Sequence, residues 1–537
     1  MRFRPRARRL VPALLLAALA TLCLAASCRR TQGQTPEPEP KPTLRIWLIS
    51  TLAGALEPCG CQKDMLGGVD HAAALAAHRG GAPQILLGAG PLFFMNPALD
   101  EQAKTQELWK AEALADSLAA MSLLAWAPGA NDWAAGPTTL NALAKRAHAK
   151  PLAANLKAAG IGSVHVESAG GVKVGIVGVS APLISASPPE GVSVSDPNAA
   201  LKTAQQQLDK DKAQVRIALL SMKRGEALRL AENVSGFHLV VIGKPFDRGE
   251  ANDAPTPPVL IGKTLVVEAP NHLQALARVD FYVRGGSFEF ADGTGVAIAE
   301  QRTRLASRLR ELSERIAGWE KRNDIQAADL AARKKERDSV SKQLAALKEP
   351  APPKQGSYFR YALEEVKQSA GEEPKVEKKL LAYFKRVNEY NRDAFKDRKP
   401  REPAEGASRY IGVNACAVCH AEEYRFWKKT GHAGAYKTLV DEHKQFNLDC
   451  VGCHVTGYEK PGGSTVTHVD KLENVGCENC HGPGSRHVDD PQNKELMRLS
   501  PERSLCATEC HHVPHVSKTW SVDGAWKQIV GPGHGNK

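Results

Sequence analysis

Four clusters of cysteine and histidine near the end of the chain have the types and spacing to do chemistry. Three are C-x-x-C-H: Cys416-Ala-Val-Cys419-His420, Cys450-Val-Gly-Cys453-His454 and Cys477-Glu-Asn-Cys480-His481. The fourth, Cys506-Ala-Thr-Glu-Cys510-His511, has one residue more between its cysteines. C-x-x-C-H is the attachment pattern of haem c: two thiols about one helical turn apart add to the two vinyl groups, and the next imidazole binds the iron. Paired cysteines also build tetrahedral zinc sites, but zinc does not require a histidine directly after every second cysteine. The wider fourth motif spans the same two vinyls through a looser loop, or is a lapsed site.

Histidine is concentrated where such chemistry needs it. Of 17 histidines, 11 lie at or after His420, and Met497 is the region's one methionine. With His420, His454, His481 and His511 as proximal ligands, the sixth ligands must come from the remaining histidines, giving bis-histidine irons of low potential. His432, in Phe426-Trp427-Lys428-Lys429-Thr430-Gly431-His432-Ala433, and His487, in Cys480-His481-Gly482-Pro483-Gly484-Ser485-Arg486-His487, are the leading distal candidates, followed by His515 and His534. His443 and His468 read as surface or loop residues. This region resembles the cytochrome c-554 family of tetrahaem cytochromes, and the resemblance implies axial roles for histidines in the contexts of His432 and His487. Four haems on about 125 residues would supply most of their own core.

The rest of the chain must export and position this module. Residues 1–27 carry five arginines (Arg2, Arg4, Arg6, Arg8 and Arg9), an apolar run from Leu10 to Leu24, and small residues before Cys28. This is an export signal, and its ending resembles a lipobox, which implies lipidation of Cys28; ordinary cleavage leaving a spare thiol is the alternative. Haem c is attached outside the cytoplasm, so signal and motifs agree on a periplasmic, membrane-anchored protein. Removing the signal lowers the net charge from +12 to +7, a balance that does not argue for nucleic acid. Residues 28–42 read as a Pro-rich tether.

Over residues 43–297 short apolar runs (Leu44–Ile49, Ile85–Leu87, Leu123–Ala127, Val172–Val179, Val215–Leu220, Leu239–Ile242, Leu265–Val267 and Leu276–Val283) alternate with helical stretches, the pattern of an α/β domain. The segment order, with Gly67-Gly68-Val69, Gly129-Ala130-Asn131-Asp132 and Pro151-Leu152-Ala153-Ala154-Asn155, resembles the calcineurin-like metallophosphatases of the 5'-nucleotidase type. That resemblance implies two metals held by Asp, His and Asn at strand ends, and here the positions read Leu52-Ala53, Gly88-Ala89-Gly90-Pro91, Ser221-Met222 and Gly243-Lys244-Pro245-Phe246. Asn131 and Asp132 remain, too few for a di-metal site, so the domain reads as an inactive scaffold. Glu57-Pro58-Cys59-Gly60-Cys61 adds two thiols near the mouth of the cleft, open to three roles: metal ligation with outside help, a thiol redox pair, or a strained disulfide.

Residues 298–349 carry Leu305, Leu309, Leu312, Ile316 and Trp319, then Val340, Leu344 and Leu347, at heptad spacing. A break near Asn323-Asp324 favours a helical hairpin over one long rod, an intermolecular coiled coil being the competing reading. Residues 350–405 form a connector with one strand and one helix, and 406–537 the tetrahaem domain. The expected whole is multidomain: an α/β metallophosphatase-like sandwich, a helical hairpin or coiled-coil spacer, and a small, mostly α tetrahaem cytochrome domain. The expected role is electron transfer with a redox partner protein or a quinol-linked donor. The alternatives are a haem enzyme acting on a small nitrogen or sulfur compound at an open iron, and a residual phosphoesterase.

Overall fold

The computed structural model describes residues 40–58, 65–78, 81–181, 188–247, 252–320, 322, 325–347, 352–512, 516 and 520–531. Cys28, Cys59, Cys61, His515 and His534 lie outside these residues. Two sheets carry the first part of the chain. Their strands are β1 (Leu44–Ser50), β2 (Gln84–Gly90), β3 (Leu123–Pro128), β4 (Lys150–Pro151), β5 (Leu156–Lys157), β6 (Val164–Ala169), β7 (Val172–Ser180) and β8 (Ser193–Val194). They continue with β9 (Val215–Ser221), β10 (Leu239–Gly243), β11 (Val259–Ile261), β12 (Thr264–Val267), β13 (Ala275–Tyr282), β14 (Phe290–Asp292) and β15 (Ser357–Glu365). One sheet has the order β14-β15-β13-β1-β2-β3-β4, the other β11-β12-β10-β9-β7-β6, while β5 and β8 pair separately. β1 through β4 run parallel, as do β7, β9, β10 and β12, so both sheets need cover on two faces.

That cover follows from period-two alternation. On β1, Leu44, Ile46 and Leu48 enter the layer between the sheets with Val174, Ile176, Ile217 and Val241, while Trp47 and Ile49 face the other way. The outer face of the first sheet packs against α1 (Val69–His78), α2 (Lys104–Ala120) and α3 (Gly136–Arg146). The outer face of the second packs against α4 (Pro197–Lys210) and α5 (Arg224–Asn233) through Leu201, Leu208, Ala227 and Leu230. The result is four layers, helix–sheet–sheet–helix, with each apolar run of the sequence in a strand.

Two helices then fold back on each other, α6 (Val296–Trp319) and α7 (Ala327–Ala346). Their antiparallel order shows in Arg302 bonding the Leu347 carbonyl, Arg308 meeting Glu336 and Lys334 meeting Glu320. Leu312, Ile316 and Val340 are their buried seam.

The segment expected as a connector is built into the α/β body. β15 inserts between β13 and β14, with Phe281 opposite Phe359 and Tyr282 opposite Tyr358. The next helix, α8 (Pro374–Ala394), buries Val376, Leu380, Tyr383, Phe384 and Val387 against the cluster that contains α1 and α2. An edge strand supplied from beyond the hairpin is a long-range pairing that local periodicity does not reveal.

Candidate haem centres

The C-terminal region is short helices and turns: α9 (Val413–Ala417), α10 (Ala421–Trp427), α11 (Ala435–Asp441), α12 (Cys477–His481), α13 (Ser485–Asp489), α14 (Ser504–Glu509) and α15 (Val522–Ile529). Its apolar cluster holds Tyr436, Val451, Val455 and Val469, with Tyr458 against them, far smaller than the clusters of the α/β body. Packing of side chains alone gives this region little to fold around.

In the first and fourth motifs a tight turn brings the histidine round beside the leading cysteine. In the first, His420 N–H bonds Cys416 O at 2.9 Å, four residues back. In the fourth, His511 N–H bonds Cys506 O at 2.7 Å, five residues back, so one wider turn absorbs the extra residue and returns His511 to the same relation with its leading cysteine. None of the eight motif cysteines is in a disulfide. Thiols of different motifs approach each other: the proximity of Cys416 and Cys477 pushes the Cys416 thiol up and the Cys477 thiol down. The proximity of Cys453 likewise raises the Cys510 thiol.

The second and third histidines are oriented by backbone carbonyls. His454 Nδ1 donates to Ala435 O and His481 Nδ1 donates to Arg498 O at 2.7 Å. Because a carbonyl only accepts, each bond fixes the tautomer in which Nε2 carries the lone pair, the arrangement common to metal-binding histidines. The first and fourth histidines face another imidazole. His487, on α13, stands opposite His420 with ring centroids 6.5 Å apart and planes 28° from parallel. His432, in the turn Gly431–Gly434, stands opposite His511 at 6.2 Å and 36°, and Trp520 stacks on His511 at 5.1 Å.

In length these spacings match two imidazoles that would hold one metal between their Nε2 atoms. Two imidazoles bonded from opposite sides at about 2.0–2.1 Å each have centroids about 6 Å apart, whereas stacked rings in contact lie closer. His487 Nδ1 is buried with no hydrogen-bond partner. Burial, then the neighbouring His511, hold His432 below the ordinary imidazole value, so it is neutral at pH 7 and keeps a lone pair to donate. His468 Nδ1 instead lies 3.2 Å from the Thr467 hydroxyl, and His443 occupies a left-handed turn position at φ 58°. The residues present fit haem c on three counts: paired thiols outside any disulfide, adjacent histidines, and facing imidazoles at metal-bridged spacing.

Residues 415–482 match the family model described as Cytochrome c554 and c-prime. Over these residues the chain is similar to the cytochrome c-554 family. It is also 38% identical over 91 residues to cytochrome c-554 of Nitrosomonas europaea, an alignment covering 14% of this chain and 39% of that protein. The chain therefore spans well under half the length of that curated relative. The α/β part aligns with the 5'-nucleotidase precursor of Thermus thermophilus at 18% identity and a TM-score of 0.45, over 69% of this chain and 62% of that one. A calcineurin-like phosphoesterase of Bacillus subtilis aligns at 14% and 0.41, over 65% and 98%. At those scores neither likeness carries a functional statement.

At the strand ends that carry Leu52-Ala53 and Gly243 the chain is tightly packed. Leu52 and Ala53 are fully buried, and a Cβ on Gly243 would come within 2.0 Å of the Ala89 carbonyl carbon, so the two sheets meet there backbone to backbone. Asp132 Oδ1 accepts from the amides of Leu92 and Phe93 at 2.8 Å, and Oδ2 accepts from Gly129 at 3.0 Å. Burial still pushes its carboxyl up to about 6. Asn131 Nδ2 donates to Met95 O and Phe246 O, which leaves its buried Oδ1 as the one atom of this pair without a partner. Both residues tie loops together.

Two positioning residues escaped the sequence reading. Glu478, between the cysteines of the third motif, is 2% exposed, and its carboxylate accepts from the amides of Ile411, Gly412 and Gly484. It thereby locks the approach to the first motif onto the third. Gln106, on α2, is buried between Asn391 and the 447–448 turn, donating to Asn447 Oδ1 and accepting from Asn391 Nδ2 and the Leu448 amide. With Lys110, which meets Asp449 at 3.0 Å, it docks the second motif on the α/β body. A glutamate inside C-x-x-C and a glutamine on a helix carry no sequence signal of such roles.

Proposed function

We propose that this chain is a four-haem c-type cytochrome that passes electrons between redox partners, and that its α/β body is a docking scaffold without hydrolase chemistry. The pairing of His487 with His420 and of His432 with His511 carries this reading: each pair would supply two protein ligands to one haem iron, which would then exchange electrons without an open position for substrate. When bound, haem c supplies a one-electron couple whose potential is low under bis-histidine ligation. The chain's own residues fix the attachment points (Cys416, Cys419, Cys450, Cys453, Cys477, Cys480, Cys506 and Cys510), orient the proximal rings, and hold the first and third motifs together through Glu478. Export with a lipid on Cys28, at the periplasmic face of a bacterial membrane, belongs to the same proposal. It rests on the signal-like leader and on the place where haem c is attached. Among the described residues no helix is long and apolar enough to cross a membrane. The donor and acceptor are proposed as a redox protein or a quinol-linked carrier.

Haem count by intact mass, with low-temperature EPR of the matured ferric protein, tests this. Four haems and only low-spin signals are expected. A high-spin signal would reveal an open iron and shift the reading to an enzyme acting on a small nitrogen or sulfur compound.

A further inference from the structure

Away from the haem motifs, three metal-binding side chains of the α/β body converge where α1 meets the link from β15 to α8. Ligand atoms of Asp70, His71 and Glu372 all lie within 4.8 Å of one another. We propose that these three residues bind one zinc ion.

Asp70 is 8% exposed, and its Oδ1 is shut off from solvent with no hydrogen-bond partner. A buried carboxylate oxygen left without a donor is costly, and a cation removes that cost. His71, also 8% exposed, donates from Nδ1 to Gly371 O at 2.7 Å. That bond places the lone pair on Nε2 and fixes the ring, as backbone carbonyls do for histidines that hold metals. Both edges converge above Gly68: a Cβ there would meet Asp70 Oδ1 at 2.8 Å and His71 Cδ2 at 3.0 Å. The glycine thus leaves Asp70 Oδ1 and the Cδ2 edge of the ring, which adjoins Nε2, uncovered by any side chain, while the Nδ1 edge lies 3.8 Å from Asp70 Oδ2. Across the joint, Gly371 turns the chain at φ 81° and presents the exposed Glu372 as third ligand.

Tetrahedral zinc bonds of about 2.0–2.2 Å put neighbouring ligand atoms roughly 3.4 Å apart, so separations of up to 4.8 Å must close by as much as about 1.4 Å. The exposed Glu372 is the member able to move. An imidazole among the donors favours zinc over magnesium or calcium, and three protein ligands leave a fourth position for water. The site would clamp α1 to the link that leads into α8, the helix on which the second haem motif docks.

The test uses the full, haem-loaded protein, stripped of loose metal with chelator and titrated with zinc alone. Zinc and iron are measured in the same sample, so that unfilled haem motifs cannot account for the zinc. One zinc per chain is expected for the wild type. Glu372→Gln should weaken binding at least about tenfold and His71→Gln should abolish it, with haem content and circular dichroism unchanged. Absence of stoichiometric zinc in the wild type, or unaltered affinity in Glu372→Gln, overturns the proposal. Because Glu372 is exposed, its variant folds and decides the matter even if His71→Gln does not.

Discussion

Lys444 Nζ lies 2.6 Å from a carboxylate oxygen of Glu57, joining the turn before the second haem motif to the loop that follows β1. The same ammonium sits 4.3 Å over the Phe384 ring of α8. One side chain therefore contacts two separate parts of the α/β body. Burial raises the Glu57 carboxyl, and Lys444 opposes that rise.

Removing this cation should loosen the docking without unfolding either part. With 30% of the Glu57 side chain exposed, Lys444→Ala is expected to cost about 1 kcal/mol. Hydrogen exchange should quicken across residues 444–453 while β1 and β2 keep their protection. Unchanged exchange there would mean that Gln106, Asn391 and Lys110 hold the second motif unaided.

The two facing histidine pairs make separable predictions. His487→Ala should convert one ferric haem to high spin, His432→Ala a different one, and the double variant two. These changes are read by EPR with haem content constant. If either single variant stays wholly low-spin, that pair does not share an iron.

Asp132 predicts a pH dependence of the α/β body. Its folded value of about 6 lies above the ordinary 3.8, so the folded state holds the proton more tightly. Its contribution is most favourable below about pH 4 and is lost as pH rises through 6, roughly 3 kcal/mol in all. Denaturation midpoints between pH 4 and 7 should show this slope in the wild type and lack it in Asp132→Asn. An equal slope in both would assign it to other groups.

Chemistry confined to a few consecutive residues was legible in the sequence, and so was the alternation that makes strands. Cys477 and His481 announce themselves by spacing, and Leu44, Ile46 and Leu48 by period. What joins distant parts was not legible. Nothing near His432 names His511 as its opposite ring, since the fold around the intervening motifs sets that approach. β15 reads as a strand, but its place between β13 and β14 depends on pairings across the whole hairpin. Glu478 is the sharpest case, because its function lies in three amide hydrogens contributed by two other segments.

The fourth motif yields the last prediction. Its extra residue is taken up in a turn closed by the bond from His511 N–H to Cys506 O, which restores the relation seen between His420 and Cys416. His511 also stacks on Trp520 and pairs with the His432 ring at the spacing of the His420–His487 pair. The motif should therefore carry haem. Cys506→Ala/Cys510→Ala is expected to lower the count from four to three by intact mass. The same variant should remove the low-spin signal that His432→Ala converts, because both changes act on one iron. A count that stays the same in the double-cysteine variant would show that the wider spacing is not an attachment site, and His432 would then need another partner.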